Sequence, residues 1–235
     1  MIALIDMDLV VFRSAASAEN DPFSIAVYRA EELMDNLLTK VEATGYEAYL
    51  SSDTNFRKKI YPEYKAHRTT DKPKHLLDLQ QYALEKMNAQ VAPEGLEADD
   101  MLGIQQDKET LTTTIVSLDK DLLQIPGNHY SWEIGTSKWT KAESWLTQSN
   151  LEGYRLFYEQ AIKGDPTDNI KGLPGKGKVF AKKALQDCKS ELEMFNVVRE
   201  LYGNDEEFLL NAGCVWILRQ HGETFKERFN ILASV

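Results

Sequence analysis

Apolar and polar positions alternate over the first 120 residues in a way that predicts strands separated by helices. Three apolar runs are of the β type, and each reaches an aspartate near its end: IALIDMDLVVF, EAYLSSD and TTTIVSLD. Residues 26–43, 73–90 and 98–107 carry the spacing of helices with one apolar face. This alternation predicts an α/β fold with a mainly parallel central sheet flanked by helices.

After about residue 150 the pattern becomes helical. The segments LEGYRLFYEQAI, KVFAKKAL, ELEMFNVVREL and EEFLLNAGCVWILRQ follow one another with Gly-rich or acidic turns between them, and no further β-type run appears. We therefore expect an α/β core over residues 1–160 and a C-terminal helical subdomain over residues 161–235. No low-complexity linker or internal repeat marks the subdomain as detached.

Composition narrows the class of protein. A chain of 235 residues can bury a substantial core. No apolar run reaches membrane-spanning length, and the first residues, MIALIDMDLVVF, lack the basic region and small-residue cleavage site of a signal peptide, so we expect an intracellular protein without membrane contact. Cys188 and Cys214 lack the spacing of metal ligands, and we interpret both as packing residues.

The formal net charge of −10 argues at first against a nucleic acid as partner, because phosphate binding leaves a basic footprint. Two basic islands are hidden in that average. Residues 57–74 carry seven Lys or Arg against two acidic side chains, and residues 163–189 carry seven lysines against three aspartates. Each island is either a solvated face or a phosphate-binding surface, and charge alone does not separate the two.

Carboxylates are concentrated at predicted strand ends, helix starts and loops. Three of them crowd into EADD, where their mutual repulsion grows if the surroundings exclude water. Asp6, Asp53 and Asp119 would project from the carboxyl ends of three different strands, where parallel sheets bind their ligands. The nine are Asp6, Asp53, Glu97, Asp99, Asp100, Asp119, Asp121, Asp165 and Asp168.

Divalent metal is the simplest compensating charge for this set. Oxygen ligands favour Mg²⁺ or Mn²⁺ over Zn²⁺, and two ions about 3.5–4 Å apart are the usual arrangement for in-line displacement at phosphorus. A solvated turn is the simpler explanation for any single pair, such as Asp119 and Asp121. It does not account for nine grouped carboxylates, which predict a two-metal site.

The segment GDPTDNIKGLPGKGKVFAKKAL places two of these aspartates beside a turn of the phosphate-binding type. Gly172, Gly175 and Gly177 allow close backbone approach, while the helix that follows offers free N–H groups and Lys176 and Lys178 add positive charge. An ordinary packing turn between two helices is the alternative. The adjacent aspartates favour a grip on the same substrate that the metals would act on.

Taken in order, these motifs resemble those of the 5′ nuclease family, which includes flap endonucleases, phage 5′-3′ exonucleases and the 5′ nuclease domain of bacterial DNA polymerase I. The resemblance covers nearly the whole chain. It is carried by IDMDLVVFRSA, DTNFRKKIYPEYKAHR, EADD, SLDKDLLQI and GDPTDNIKGLPGKGKVFAKKAL.

The resemblance implies a structure-specific, metal-dependent 5′ nuclease acting on DNA with 5′ ends, flaps, nicks or gaps. It implies two Mg²⁺ ions, for which Mn²⁺ can substitute. The ligands implied for the first ion are Glu97, Asp99, Asp100 and Asp119, supported through water by Asp6 and Asp53. Those implied around the second are Asp119, Asp121, Asp165 and Asp168. A monomer in the cytoplasm, of a cell or of a phage host, is expected.

It also implies a short helical arch over about residues 57–90. Lys65 and Arg68 resemble the basic pair of this arch that contacts the scissile phosphate as catalytic residues. Tyr64 would stack on a terminal base, and Arg57 would contact the DNA. Since few residues separate Arg68 from the EADD motif, the arch is expected to be a brief clamp.

Residues 172–180 resemble the helix-hairpin-helix element that grips the duplex backbone in this family. Its implied DNA contacts are Gly172, Gly175, Lys176, Gly177 and Lys178. The carbonyls of Leu173 and Lys176 are the implied ligands of a K⁺ ion. Lys171 departs from the family pattern, which often has proline at that position.

Two other classes of protein stay open. A phosphatase of the haloacid dehalogenase type would use the D-x-D of IDMDLVV, with Asp6 as nucleophile and Asp8 as acid, but Val10 stands where that class has threonine. A non-catalytic DNA-structure binding protein would need only the basic islands. The full set of carboxylates speaks against it.

Overall fold

The protein is described here by a computed structural model over residues 1–68, 71–109, 112–135 and 140–235. Its strands are β1 Ile2–Asp6, β2 Gly45–Leu50, β3 Ala89–Val91, β4 Thr113–Val116, β5 Gly127–Ser131, β6 Ile134–Gly135, β7 Thr140–Lys141 and β8 Ser144–Gln148. Its helices are α1 Met7–Ser17, α2 Phe23–Lys40, α3 Phe56–Ile60, α4 Leu76–Lys86, α5 Ala98–Lys108, α6 Asn150–Lys163, α7 Lys178–Leu185, α8 Glu191–Tyr202, α9 Asp205–Val215 and α10 Phe225–Ala233.

The central sheet has six strands in the order β3-β2-β1-β4-β5-β8 within the part of the chain described. All neighbours pair in parallel except β5 and β8, which are antiparallel. The chain builds outward from β1 through β2 to β3 and then returns to β4 on the other side of β1. The crevice at this reversal lies beyond the carboxyl ends of β1 and β4, where such sheets bind ligands. The predicted α/β class is confirmed.

The first apolar run is not a single strand. Asp6 ends β1 and caps α1, with its Oδ1 accepting a hydrogen bond from the Leu9 N–H at 3.2 Å. Met7, Val10 and Val11 are buried on one face of α1, so the second half of IDMDLVVF is helical. The sequence pattern also missed β8, whose first four residues are exposed at the sheet edge and include Trp145.

Two hydrophobic clusters cover the two faces of the sheet. Along β1, Ala3 and Ile5 belong to the cluster under α1, α2 and α4, while Leu4 belongs to the cluster formed with α5 and the C-terminal helices. Cys188 and Cys214 are buried and unpaired, as expected of packing residues. No helix in the described ranges is long and apolar enough to cross a membrane.

The expected arch consists of short helices and turns, with α3 spanning five residues and α4 spanning eleven. Two residues of this segment, 69 and 70, lie outside the described residues. Helix α6 runs through residue 160, so the proposed division of the chain falls inside a helix. The domain boundary therefore stays a prediction.

Candidate active site

A cavity of about 240 Å³ opens at the carboxyl ends of β1 and β4. It brings together seven of the nine expected carboxylates and adds an eighth, Asp8. The eight are Asp6, Asp8, Glu97, Asp99, Asp119, Asp121, Asp165 and Asp168. Four basic side chains also line it: Arg57, Lys65, Arg68 and Lys120. The structure does not bring Asp53 and Asp100 into this lining.

Asp6 and Asp8 enter the cavity from the junction of β1 and α1. The Ser117 hydroxyl, just beyond β4, donates to Asp6 Oδ2 at 2.7 Å, and Asp6 is 3% exposed. The Ser51 N–H, just beyond β2, donates to Asp8 Oδ2 at 3.0 Å. Three strand ends therefore position these two carboxylates through backbone and hydroxyl donors.

Asp8 lines the cavity, whereas Asp53, for which the resemblance implies support through water, does not, and the role of Asp53 stays a prediction. Asp53 is exposed in the loop after β2, whereas Ser51 of the same loop binds Asp8. The signal for Asp8 is the D-x-D of the first motif, which the sequence analysis connects only to the phosphatase hypothesis. Its position in the first turn of α1 directs it to the same end of the sheet as Asp6.

The EADD motif forms the start of α5, and its members face different ways. Glu97 caps the helix and Asp99 lines the cavity. Asp100 is fully buried, and its two oxygens accept from the two terminal nitrogens of Arg57 at 2.8 and 2.7 Å. It also accepts from the Leu218 N–H at 3.2 Å. Asp100 therefore joins α5 to the arch base and the C-terminal region.

Arg57 and Tyr64 also line the cavity, but both are buried and bind the carboxylates instead of facing solvent. Arg57 is 3% exposed and also donates to Glu97 Oε2 at 3.1 Å and to the Cys214 carbonyl at 3.1 Å. Tyr64 is 2% exposed, with its hydroxyl 3.0 Å from Glu97 and 3.1 Å from Asp168. In this arrangement the Tyr64 ring is not accessible for the stacking that the resemblance implies.

Lys65 and Arg68 sit directly on the carboxylates. The Lys65 ammonium lies 2.6 Å from Glu97 Oε1 and 3.7 Å from Asp168 Oδ2, and Arg68, half-exposed, pairs with Asp168. The Lys65 N–H donates to the Asp168 carbonyl at 3.0 Å, which docks the arch base on the loop after α6. The basic pair thus lines the cavity, and its contact with a scissile phosphate stays a prediction.

The other side of the cavity is formed by the short 3₁₀ turn Lys120–Gln124 and by the loop after α6. Asp119 caps this turn by accepting from the Asp121 N–H at 2.8 Å. Asp165 is buried and accepts from the Thr167 N–H at 2.8 Å. The buried Gln160, which the sequence interpretation did not single out, contacts both Asp121 and Asp165.

The eight carboxylates of the cavity outnumber its four basic side chains, and the pKa values of several carboxylates are raised. Burial, with Asp8 and Asp119 nearby, raises the pKa of Asp6 to about 7. Burial and Asp119 raise the pKa of Asp121 to about 6, and they also raise that of Asp99 well above its ordinary value. Glu97 differs: although burial opposes its ionisation, Arg57 and Lys65 bring its pKa down to about 2.

This donor set fits a hard divalent cation. The acidic ligand atoms in the cavity are all carboxylate oxygens. Several of these carboxylates destabilise one another's charged form, and a bound cation would relieve this repulsion. Among the described residues, no three His, Cys, Asp or Glu side chains close tightly enough to hold an ion as they stand. The carboxylates therefore have the chemistry that a divalent cation needs. They converge on one cavity but are not close enough to one another to enclose an ion.

The predicted hairpin lies between α6 and α7. Gly164 and Gly172 have φ of 71° and 60°, and a Cβ on Gly172 would lie 2.2 Å from the Gly164 nitrogen. Gly172 is therefore required for close packing and is buried, whereas Gly175, Gly177 and Lys178 are exposed. The Leu173 carbonyl accepts from the Lys176 N–H at 3.1 Å, and the K⁺ ligands in this turn stay a prediction.

A family model described as the 5′-3′ exonuclease, N-terminal resolvase-like domain, matches residues 1–152. The chain is 29% identical over 231 residues to a 5′-3′ exonuclease of Buchnera aphidicola subsp. Schizaphis graminum, covering 88% of this chain and 74% of that protein. It is 29% identical over 208 residues to DNA polymerase I of Mycobacterium tuberculosis, covering 80% of this chain and 23% of the polymerase. The chain thus spans about a quarter of these polymerase relatives.

Solved structures share the fold at low identity. A bacteriophage T5 flap endonuclease in complex with DNA and metal ions aligns with a TM-score of 0.67 at 16% identity, over 99% of this chain and 98% of that chain. The catalytic core of Rad2 with DNA substrate aligns with a TM-score of 0.56 at 11% identity, over 86% and 64%. With the match of its N-terminal 152 residues to the family model, the chain belongs to the 5′-3′ exonuclease family of nucleases.

Proposed function

We propose that the chain is a structure-specific, metal-dependent 5′ nuclease that hydrolyses DNA phosphodiesters as a 5′-3′ exonuclease and flap endonuclease. The observation that supports this most directly is the single cavity in which eight carboxylates meet four basic side chains. Carboxylates suit divalent cations, and Lys and Arg suit a phosphate. The named activities of the relatives, and the DNA in the T5 and Rad2 complexes, support the substrate class.

Two Mg²⁺ ions, or Mn²⁺ in their place, would be held by the cavity carboxylates. We assign one position to Asp6, Asp8, Glu97, Asp99 and Asp119. We assign the other to Asp119, Asp121, Asp165 and Asp168. When bound, such ions stabilise charge on the attacking and leaving oxygens of an in-line displacement. Asp100 would act from outside the cavity, by holding Arg57 against Glu97.

Lys65 and Arg68 are the groups we assign to the scissile phosphate. Both are already within the cavity, and a phosphate there would replace Glu97 and Asp168 as their partner. Fixed cations at this position stabilise the negative charge that develops on the phosphate during cleavage. Arg57 and Tyr64 would keep Glu97 and Asp168 in place during this exchange.

The hairpin between α6 and α7 would hold the duplex through its backbone. Gly175, Lys176, Gly177 and Lys178 lie in the turn or at the start of α7, whose first N–H groups have no side-chain cap. Contacts of this type read shape and phosphate positions instead of base sequence. A K⁺ ion on the carbonyls of the turn, and action as a monomer in the cytoplasm, belong to the same proposal.

The test is product analysis on end-labelled flap, nicked, gapped and blunt DNA with Mg²⁺ or Mn²⁺. We expect mononucleotides or short oligonucleotides from 5′ ends, and cuts near junctions of single strand and duplex. EDTA should stop the reaction. Folded protein that binds these DNAs and leaves their length unchanged with either metal would instead be a non-catalytic DNA-structure binding protein.

A further inference from the structure

Gln160 connects two carboxylates that come from different segments of the chain. It lies on α6 and is 5% exposed. Its Nε2 donates to Asp121 Oδ2 and to Asp165 Oδ2, both at 3.0 Å. Asp121 belongs to the 3₁₀ turn after β4, and Asp165 to the loop after α6. One neutral amide group therefore ties together two groups of like charge.

The orientation of this amide follows from hydrogen-bond chemistry. Ionised carboxylates only accept hydrogen bonds, so the amide nitrogen must face them and Oε1 must face away. Oε1 accepts from Gln124 Nε2 at 2.9 Å, and the same nitrogen donates to the Val215 carbonyl at 3.0 Å. Two acceptors thus fix the Gln124 amide in turn.

This arrangement leaves a buried acceptor unsatisfied. Gln124 is 2% exposed, and its Oε1 has no hydrogen-bond partner among the described residues. A buried polar atom without a partner costs stability. The fold retains it because turning the Gln124 amide would set two oxygens against each other, at Gln160 and at Val215.

We propose that Gln160 is a positioning residue that sets the separation and orientation of Asp121 and Asp165 for one cation of the cavity. It acts through the two aspartates and touches neither the cation nor the DNA. The inference rests on the proposed function, since it takes these aspartates as metal ligands. Donors behind ligating carboxylates typically raise metal affinity by about 10- to 100-fold.

A neutral donor is well suited to this position. Lysine or arginine here would neutralise the aspartates and compete with the cation, as Lys65 and Arg68 do at Glu97 and Asp168. An amide orients both carboxylates and leaves their charge available. A purely structural role would require only a side chain that fills the same volume.

Gln160→Met separates these roles, because methionine has a similar size and no donor. The matched control is Gln106→Met. Gln106 is fully buried on α5, donates to the Asn128 carbonyl at 2.9 Å and accepts from the Thr113 hydroxyl at 2.7 Å, and it does not line the cavity. The measurements are Mn²⁺ titration calorimetry without DNA, the melting temperature, and single-turnover flap cleavage at rising Mn²⁺ concentration.

We expect Gln160→Met to bind Mn²⁺ at least about tenfold more weakly and to need correspondingly more Mn²⁺ for half-maximal cleavage, with a rate near that of the wild type at saturation. Gln106→Met should lose melting temperature and keep the wild-type affinity for Mn²⁺. Gln160→Asn, whose amide is retracted by one methylene, replaces the methionine variant if that variant does not fold.

Unchanged Mn²⁺ affinity in a folded Gln160 variant would overturn the inference, whatever the melting temperature. A wild-type chain that binds Mn²⁺ and cuts no DNA would overturn the proposed function alone, and the affinity difference would still decide the role of Gln160. A wild-type chain that binds no Mn²⁺ would overturn both.

Discussion

At the scale of single residues, Asp99 and Asp100 show how adjacent carboxylates acquire different roles. Successive positions on a helix are turned by about 100°, so only one of the two can face the cavity. Asp99 does so, while Asp100 is enclosed with Arg57 in a buried ion pair. Removing one partner of such a pair leaves an uncompensated buried charge, whereas removing Asp99 relieves repulsion.

Asp99→Asn should therefore nearly abolish cleavage and leave the melting temperature in EDTA unchanged or higher. Asp100→Asn should lower the free energy of unfolding by about 3–5 kcal/mol, because Arg57 stays buried without its full counter-charge. Single-turnover cleavage with Mg²⁺ and thermal unfolding in EDTA, on both variants, test the pair. Loss of stability in Asp99→Asn with cleavage retained would show that its carboxylate is structural.

The raised pKa of Asp6 predicts how stability depends on pH when metal is absent. In the folded protein this pKa is about 7, whereas a carboxyl of the unfolded chain titrates near its ordinary value of about 4. Between these values the folded state binds more protons, so the free energy of unfolding falls as pH rises and the contribution is lost above about 7. In EDTA, we expect a lower melting temperature at about pH 8 than at about pH 5.

Asp6→Asn provides the control for this prediction, because asparagine cannot titrate. Burial lowers the pKa of His129, which acts in the opposite direction, so the informative quantity is the difference in slope between wild type and variant. We expect the variant to show a clearly smaller decrease. Equal slopes in the two proteins would contradict the raised pKa.

At the scale of elements, the base of the arch is docked on the loop after α6. Besides the Lys65 backbone bond to Asp168, the Asn169 side-chain amide donates to the Glu63 carbonyl at 3.0 Å. Arg68 Nε donates to the Thr167 carbonyl at 3.3 Å. The arch therefore places its cations on carboxylates that we assign to metal, so metal and arch compete for the same oxygens.

Lys65→Ala should consequently bind Mn²⁺ more tightly than the wild type in the absence of DNA, yet cleave about 10²–10³-fold more slowly at saturating metal and DNA. The reason is that its ammonium competes for Glu97 before DNA arrives and stabilises the phosphate afterwards. Mn²⁺ titration and single-turnover kinetics measure the two effects separately.

Lys182→Ala is the matched control, since Lys182 is exposed on α7 away from the cavity. It should lower DNA affinity and its salt dependence, with an unchanged rate at saturating enzyme. If Lys65→Ala behaved in the same way, the arch would contribute affinity without a part in the chemical step.

At the scale of the whole molecule, the sheet couples the two hydrophobic clusters into one structure. Trp132 is buried in the cluster with α1, α2 and α4, and Trp216 is buried in the other with Phe157 and Phe225. Strand β1 contributes residues to both clusters. We expect this shared sheet to make unfolding cooperative across the proposed division at residue 160.

Two variants that retain only Trp132 or only Trp216, with phenylalanine at the other tryptophan positions, report on the clusters separately. Within each variant, the denaturant midpoint measured by fluorescence should coincide with the midpoint measured by far-UV circular dichroism. Separate midpoints would show that the residues after about 160 unfold independently, as an autonomous domain would.

Local patterns in the sequence predict the parallel sheet, the helical C-terminal region and a site rich in carboxylates. Periodicity is a local property, and carboxylates that follow apolar strands must gather at one end of a parallel sheet. That reasoning placed Asp6, Asp53 and Asp119 beyond the ends of three strands; Asp6 and Asp119 line the cavity, and Asp53 does not. The prediction of a single strand over IDMDLVVF is wrong, because α1 begins at Met7 and the second half of this apolar run is helical.

Contacts between distant segments set which carboxylates face the cavity and which groups hold them. Asp8 lines the cavity, where it accepts from the Ser51 N–H, and Asp100 is turned inward onto Arg57, 43 positions away. Gln160 meets Asp121 across 39 positions. Such partners leave no local pattern in a sequence, because hydrogen bonds and ion pairs depend on distances and angles that exist only once the distant segments have packed together.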